Sequence, residues 1–259
     1  MNLENATAEV MIELTTEPLG GIECLHAAPA GERDRALPTV IFWHGYLSSK
    51  EVYAWAAVAL AQAGFRVIMP DADGHGSRYD GDDARRLTRF WEILLSNIDE
   101  TAQIENALRA RGWIKAGHFG VAGASMGGMT ALGAMARYPQ IDRVASLMGS
   151  GYFMSLSQTL FPPFQAQTPE QQKALSQRLA PLADYDPSRQ LARLGDRPLL
   201  LWHGEADELV PTAETLRLKA ALRDAQLDNQ LTWLTEANVG HKITPLALRS
   251  LVDFFQSSL

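Results

Sequence analysis

The chain has 259 residues, 46% hydrophobic and 20% charged, which is enough for one extended core with at most an inserted segment. Its formal net charge of −7, spread without a block of like charges, argues against nucleic acid and against an anionic membrane surface as partners. A single cysteine, Cys24, excludes an internal disulfide and a multi-thiolate metal site, and suits a reducing compartment. The first residues carry neither a basic nor an apolar targeting region, and no apolar stretch is long enough to span a bilayer, so a cytoplasmic protein is expected.

Taken in chain order, Glu9–Thr15 and Gly21–Ala27 read as short strands joined by a turn at Glu17-Pro18-Leu19-Gly20. Thr39–Trp43 is a continuous apolar run, the mark of a strand covered on both faces. Glu51–Ala63 predicts a helix closed by Gly64, and Phe65–Met69 a second buried strand stopped by Pro70. One long helix is expected over roughly Ala84–Arg111, then a strand at His118–Ala122, a helix at Met126–Tyr138 and a strand at Arg143–Met148. Pro198–Trp202 and Leu231–Leu234 predict strands, and Thr212–Leu222 and Pro245–Phe255 helices. Strand alternating with helix predicts an α/β fold: a mostly parallel, doubly wound sheet with helices on both faces, the opening strands forming an antiparallel edge. The whole chain, 1–259, is expected to be one domain. Only 151–195 breaks the rhythm. It is rich in proline, holds a Gln-rich helix at Glu170–Leu179, and reads as a short lid-like insertion over the C-terminal edge of the sheet.

The strongest local signal is Gly123-Ala124-Ser125-Met126-Gly127-Gly128, set between a predicted strand and a predicted helix. In a Gly-x-Ser-x-Gly elbow the serine occupies a strained strand-to-helix turn, so the residues two before and two after it must be small. That turn lifts the Ser125 hydroxyl above the sheet and places the Met126 N–H at a helix N-terminus, where it can hold an oxyanion. A phosphate loop has the same Gly-x-x-x-x-Gly spacing, but Met129-Thr130 stands where Lys-Ser/Thr would be needed. Gly120, Gly123 and Gly127 do not fit a dinucleotide fingerprint either.

A nucleophilic serine needs a histidine base and a carboxylate to orient it. Among six histidines, His241 sits between the last predicted strand and the last helix, and Asp207 follows the strand ending at Trp202, giving the chain order Ser…Asp…His. Glu205 is the alternative carboxylate. His44, in Trp43-His44-Gly45-Tyr46, is expected to shape an oxyanion loop in which the Tyr46 N–H is the second donor beside Met126. His75 and His203 are expected to be structural. In the insertion, Phe153, Leu156, Leu160, Phe161 and Phe164 are candidates for the wall of an apolar acyl pocket, or for anchors that only pin the insertion. Neither a metal nor a cofactor is expected.

Together with Asp71–Ser77, His203-Gly204-Glu205-Ala206-Asp207 and Gly240-His241, these motifs resemble the α/β-hydrolase superfamily, nearest its dienelactone-hydrolase and prolyl-oligopeptidase-like branch. Met148–Phe153, Leu160–Pro163 and Leu201–Gly204 resemble enterobacterial YjfP-type esterases, and the similarity runs from about Val10 onward. The resemblance implies a carboxylesterase acting on small ester substrates, with acyl-CoA thioesters as an alternative and a noncatalytic hydrolase-fold binding protein as a second. Ser125 stands where dienelactone hydrolases carry Cys and where dehalogenases and epoxide hydrolases carry Asp, and the chain lacks the propeller of prolyl peptidases. Lactone, dehalogenation, epoxide and peptide chemistry are therefore not implied. Nothing in the sequence bears on the oligomeric state.

Overall fold

The computed structural model describes residues 10–259. Its first hairpin is set by Gly20 and Gly21, whose φ values of 60° and 81° supply the two left-handed positions of a tight two-residue turn. β1 (Ile12–Leu19) therefore runs directly into β2 (Ile22–Pro29). The turn expected at Glu17–Gly20 is corrected: Glu17, Pro18 and Leu19 belong to β1, which tolerates a proline because it is the edge of the sheet. Glu9, where the first strand was expected to begin, and the N-terminal stretch read for targeting signals lie outside the described residues.

β3 (Leu37–Trp43), β4 (Arg66–Pro70), β5 (Ile114–Ala124), β6 (Arg143–Leu147), β7 (Leu199–Gly204) and β8 (Leu231–Glu236) complete one sheet in the order β1-β2-β4-β3-β5-β6-β7-β8. From β4 onward all neighbours are parallel, and β1 and β2 form the antiparallel edge that the sequence predicts. The apolar runs follow from burial on both faces. Ile41 and Trp43 point into one core layer and Val40 and Phe42 into the other; Leu199 and Leu201 oppose Leu200 and Trp202 in the same way.

The helices are α1 (Ala54–Gln62), α2 (Asp83–Thr88), α3 (Phe90–Ala110), α4 (Met126–Arg137), α5 (Phe153–Leu156), α6 (Pro169–Leu179), α7 (Leu191–Gly195), α8 (Ala213–Asp224) and α9 (Pro245–Gln256). α1 and α9 cover one face of the sheet; α3, α4 and α8 cover the other. The single helix expected over 84–111 is two. Asp82 caps α2 by accepting the Arg85 N–H at 2.8 Å, and Arg89 leaves helical geometry so that Phe90 and Trp91 turn into the core. Segment 151–195 is the crossover from β6 to β7 and holds α5, α6 and α7. It is tied to α3 by the Trp91 indole N–H donating to the Leu160 carbonyl at 2.9 Å and by Arg178 on Glu92 at 2.8 Å. Among the described residues no helix is long and apolar enough to cross a membrane.

One buried cation ties the far end of the sheet together. Arg66 is fully buried at the start of β4; its guanidinium donates to the carbonyls of Trp113, Arg33 and Arg35, and its Nε–H to His26 Nε2 at 3.0 Å. Burial lowers its pKa to about 10. Arg66→Met keeps the packed stem but strands these acceptors, so a stability loss of roughly 3 kcal/mol is expected, read as a lower urea midpoint with an unchanged slope.

Candidate active site

Parallel register brings the C-terminal ends of the strands to one rim. Trp43 pairs with Gly123, Ala124 with Leu147, Leu147 with Trp202 and Gly204 with Glu236. Ser125 follows β5 directly, Asp207 lies in the turn after β7 and His241 in the loop after β8. Ser125 adopts φ 56° and ψ −115°, a conformation that costs a non-glycine residue roughly 1–3 kcal/mol and is held by its surroundings. Its N–H donates to the Leu147 carbonyl at 2.8 Å, and its carbonyl accepts the Met129 N–H at 3.0 Å, which starts α4. A methyl group at Gly127 would overlap the Trp43 carbonyl, and one at Gly123 the Gly127 carbonyl. Only glycines let helix, elbow and sheet approach this closely.

The three residues singled out by chain order form one hydrogen-bonded line. His241 Nε2 lies 2.8 Å from Ser125 Oγ, and His241 Nδ1 lies 2.7 Å from Asp207 Oδ2. With the Nδ1–H donating to the carboxylate, Nε2 is left to accept from the hydroxyl. Asp207 is almost fully buried, and its Oδ1 accepts the N–H groups of Leu209 and Val210, both at 3.0 Å. Burial alone would raise its pKa; hydrogen bonds from His203, His241 and the Val210 N–H outweigh that and hold the carboxyl below its usual range. Gly204 permits the approach of the histidine loop, since a side chain there would strike the Val239 carbonyl, which accepts the Ala206 N–H at 2.9 Å. Glu205, the alternative carboxylate, faces away and accepts from the Thr235 hydroxyl at 2.8 Å.

His203 is buried, as expected of a strand-end residue, yet it reaches the same carboxylate. Its Nε2–H donates to the Val210 carbonyl at 2.7 Å and stands 3.2 Å from Asp207 Oδ2. His44 donates from Nδ1 to the Gly45 carbonyl at 2.7 Å and accepts the Ala72 N–H on Nε2 at 3.0 Å, stitching the loop after β3 to the end of β4. Asp71 completes that junction. Fully buried, it accepts the Lys50 N–H at 2.9 Å, the Lys50 ammonium at 2.5 Å and the Ser77 N–H at 2.9 Å. The loop so held carries Gly45 and Tyr46 past the serine: a Cβ on Gly45 would lie 3.5 Å from that of Ser125. Met126 takes the first position of α4, where an N–H has no intrahelical partner, and neither its amide nor that of Tyr46 donates to another group among the described residues.

Ser125 and His241 open into a cavity of about 300 Å³ whose apolar walls are Leu47, Phe90, Leu160, Phe161, Leu209 and Val210. Of the insertion residues proposed as an acyl wall, Leu160 and Phe161 line it. Phe153, Leu156 and Phe164 do not, and that expectation is corrected: Phe153 is fully buried 6.1 Å from the Trp91 ring, and Leu156 and Phe164 pack into the same core layer, so they anchor the insertion. The sequence reading missed Leu47, Tyr53, Phe90, Leu209 and Val210 as cavity residues. Leu209-Val210 could have been found beside Asp207; Tyr53 and Phe90 come from helix starts and are brought in only by the fold. Leu47 and Phe161 have φ values of 61° and 46°, left-handed backbone uncommon outside glycine.

Comparison with known proteins agrees with this architecture. Residues 51–259 match the model of the prolyl oligopeptidase family, a family of serine hydrolases. The chain belongs to this family. Esterase YjfP of Escherichia coli (strain K12) is 50% identical over 249 residues, 96% of this chain and 100% of that protein. YitV of Bacillus subtilis (strain 168) is 34% identical over 255 residues, again 96% and 100%. TT1662 from Thermus thermophilus superposes with a TM-score of 0.77 at 23% identity, over 95% of this chain and 98% of that one, which speaks for the α/β-hydrolase fold.

Burial is the largest cause holding His26, His44 and His75 below the ordinary histidine value, His44 down to about 4 from 6.5. A group whose folded pKa is depressed leaves the unfolded chain binding more protons, so stability falls as pH drops from about 6.5 toward 4. His44 alone accounts for at most about 3 kcal/mol of that fall. Urea midpoints measured between pH 7 and 4.5 are expected to decline, and to decline less steeply in His44→Gln.

Proposed function

We propose that the chain is a serine carboxylesterase for small or short-acyl carboxylic esters, with Ser125 as nucleophile, His241 as base and Asp207 as the carboxylate that orients it. The observation that carries this reading is the unbroken line from Ser125 Oγ through both ring nitrogens of His241 to Asp207, at 2.8 and 2.7 Å, opening into an apolar cavity. His241 Nε2 takes the hydroxyl proton as Oγ bonds to the ester carbonyl carbon. The amides of Tyr46 and Met126 receive the negative oxygen. The alkyl–oxygen leaving group departs with the proton from His241, leaving an acyl-enzyme. Water then adds by the same steps and releases the carboxylic acid and free Ser125. A cavity of about 300 Å³ suits short acyl chains, and the name esterase borne by the Escherichia coli relative supports the reaction class.

The test is a panel of 4-nitrophenyl esters and acyl thioesters of graded length. Ser125→Ala is expected to keep the thermal midpoint and lose turnover by about 10⁶; activity retained in the pure variant overturns the assignment. The pH profile gives a second check. Asp207 stays ionised because its pKa is held low, so one protonation, that of the base, governs the acid side. Log(kcat/KM) is expected to rise with a slope of one toward neutral pH; a slope of two would mean a second group must also lose a proton.

A further inference from the structure

Beside the catalytic cavity lies a second hollow of about 340 Å³. Tyr46, Leu47 and Phe161 line both, and Asp83, Arg86 and Leu87 of α2 complete the second. The shared wall is thus one layer of side chains, in which the Phe161 ring packs at a tilt 5.1 Å from Tyr46 and 4.8 Å from Phe90.

Arg86 differs from the cations around it. Arg78 is paired with Glu100 at 2.8 Å, Arg85 with Asp80 at 2.6 Å and Arg89 with Asp73 at 3.0 Å. The Arg86 side chain is only 14% exposed and sits on aromatic faces, 4.4 Å from the Tyr79 ring centroid and 6.0 Å from that of Tyr46. Its Nη1 makes one long contact, 3.4 Å, to the Gly74 carbonyl, and its buried Nε–H has no acceptor among the described residues. Its carboxylate partner at 2.6 Å, Asp83, is 77% exposed, and a pair with so solvated a member is weakly held. A half-buried guanidinium flanked by Leu47, Leu87 and Phe161 offers a planar fork to a carboxylate that replaces Asp83. The chain as a whole is negative, so preference for an anion must arise from this local cation.

We infer that the hollow over Arg86 is a second substrate subsite, which binds a carboxylate carried on one arm of the ester while the carbonyl lies at Ser125. This rests on the esterase reading above. The preferred substrates are then half-esters and carboxylated esters rather than neutral ones.

Two matched pairs test it, each corrected for spontaneous hydrolysis. The 4-nitrophenyl half-ester of adipic acid is set against 4-nitrophenyl hexanoate for the acyl arm, and 4-(butyryloxy)butanoate against butyl butyrate for the alcohol arm. Wild type is expected to favour the anion in one pair by roughly tenfold in kcat/KM, with the preference shrinking as salt is raised. Arg86→Met should bring that ratio to about one, whereas Asp83→Asn, which removes the competing carboxylate at an exposed position, should increase it. Equal rates within both pairs in wild type, or a ratio that Arg86→Met and Asp83→Asn leave unchanged, overturn the subsite while the esterase reading stands. No hydrolysis of any of the four esters overturns both.

Discussion

Everything at the rim depends on how closely α4 approaches the sheet. Residues 126–136 are buried on every side of the helix, and the contact is made backbone to backbone, with Gly127 against the Trp43 carbonyl and Gly128 against that of Leu147. This proximity fixes the elbow in its left-handed conformation, from which the Ser125 hydroxyl meets His241 Nε2. The strain of that residue is local, while the packing that sustains it spreads over the whole core layer on that face.

The loops facing the serine are held by polar hubs rather than by apolar packing. Asp71 joins the ends of β3 and β4, and Asp207 joins the turn after β7 to the loop after β8. Each buried carboxylate accepts several N–H groups, which repays the cost of removing its charge from water. Apolar contacts could hold such loops near the rim. Directional bonds to a fixed carboxylate also set their orientation.

Much of the sheet was legible because strands covered on both faces write themselves as uninterrupted apolar runs, as in Thr39–Trp43 and Leu199–Trp202. Chain order at the ends of β5, β7 and β8 was enough to place Ser125, Asp207 and His241 on one rim. The misreadings have local causes. Pro18 reads as a turn residue because its position at an edge is invisible without the sheet order. The break at Arg89 leaves no mark in the sequence because apolar spacing continues across it while the helix changes direction. The cavity wall was the least legible part. A phenylalanine in a proline-rich insertion serves equally as wall or anchor, and Tyr53 and Phe90 meet the serine only through long-range packing.

The shared oxygen of Asp207 has a mechanical consequence. Three donors hold that carboxylate, the N–H groups of Leu209 and Val210 and the Nδ1–H of His241, with His203 Nε2 3.2 Å away, whereas the His241 ring is part exposed and tied only through its two nitrogens. The fixed element is therefore the carboxylate and the compliant one the imidazole. Small rocking of the ring about its Nδ1 tether swings Nε2 along the rim, with the anchor left undisturbed.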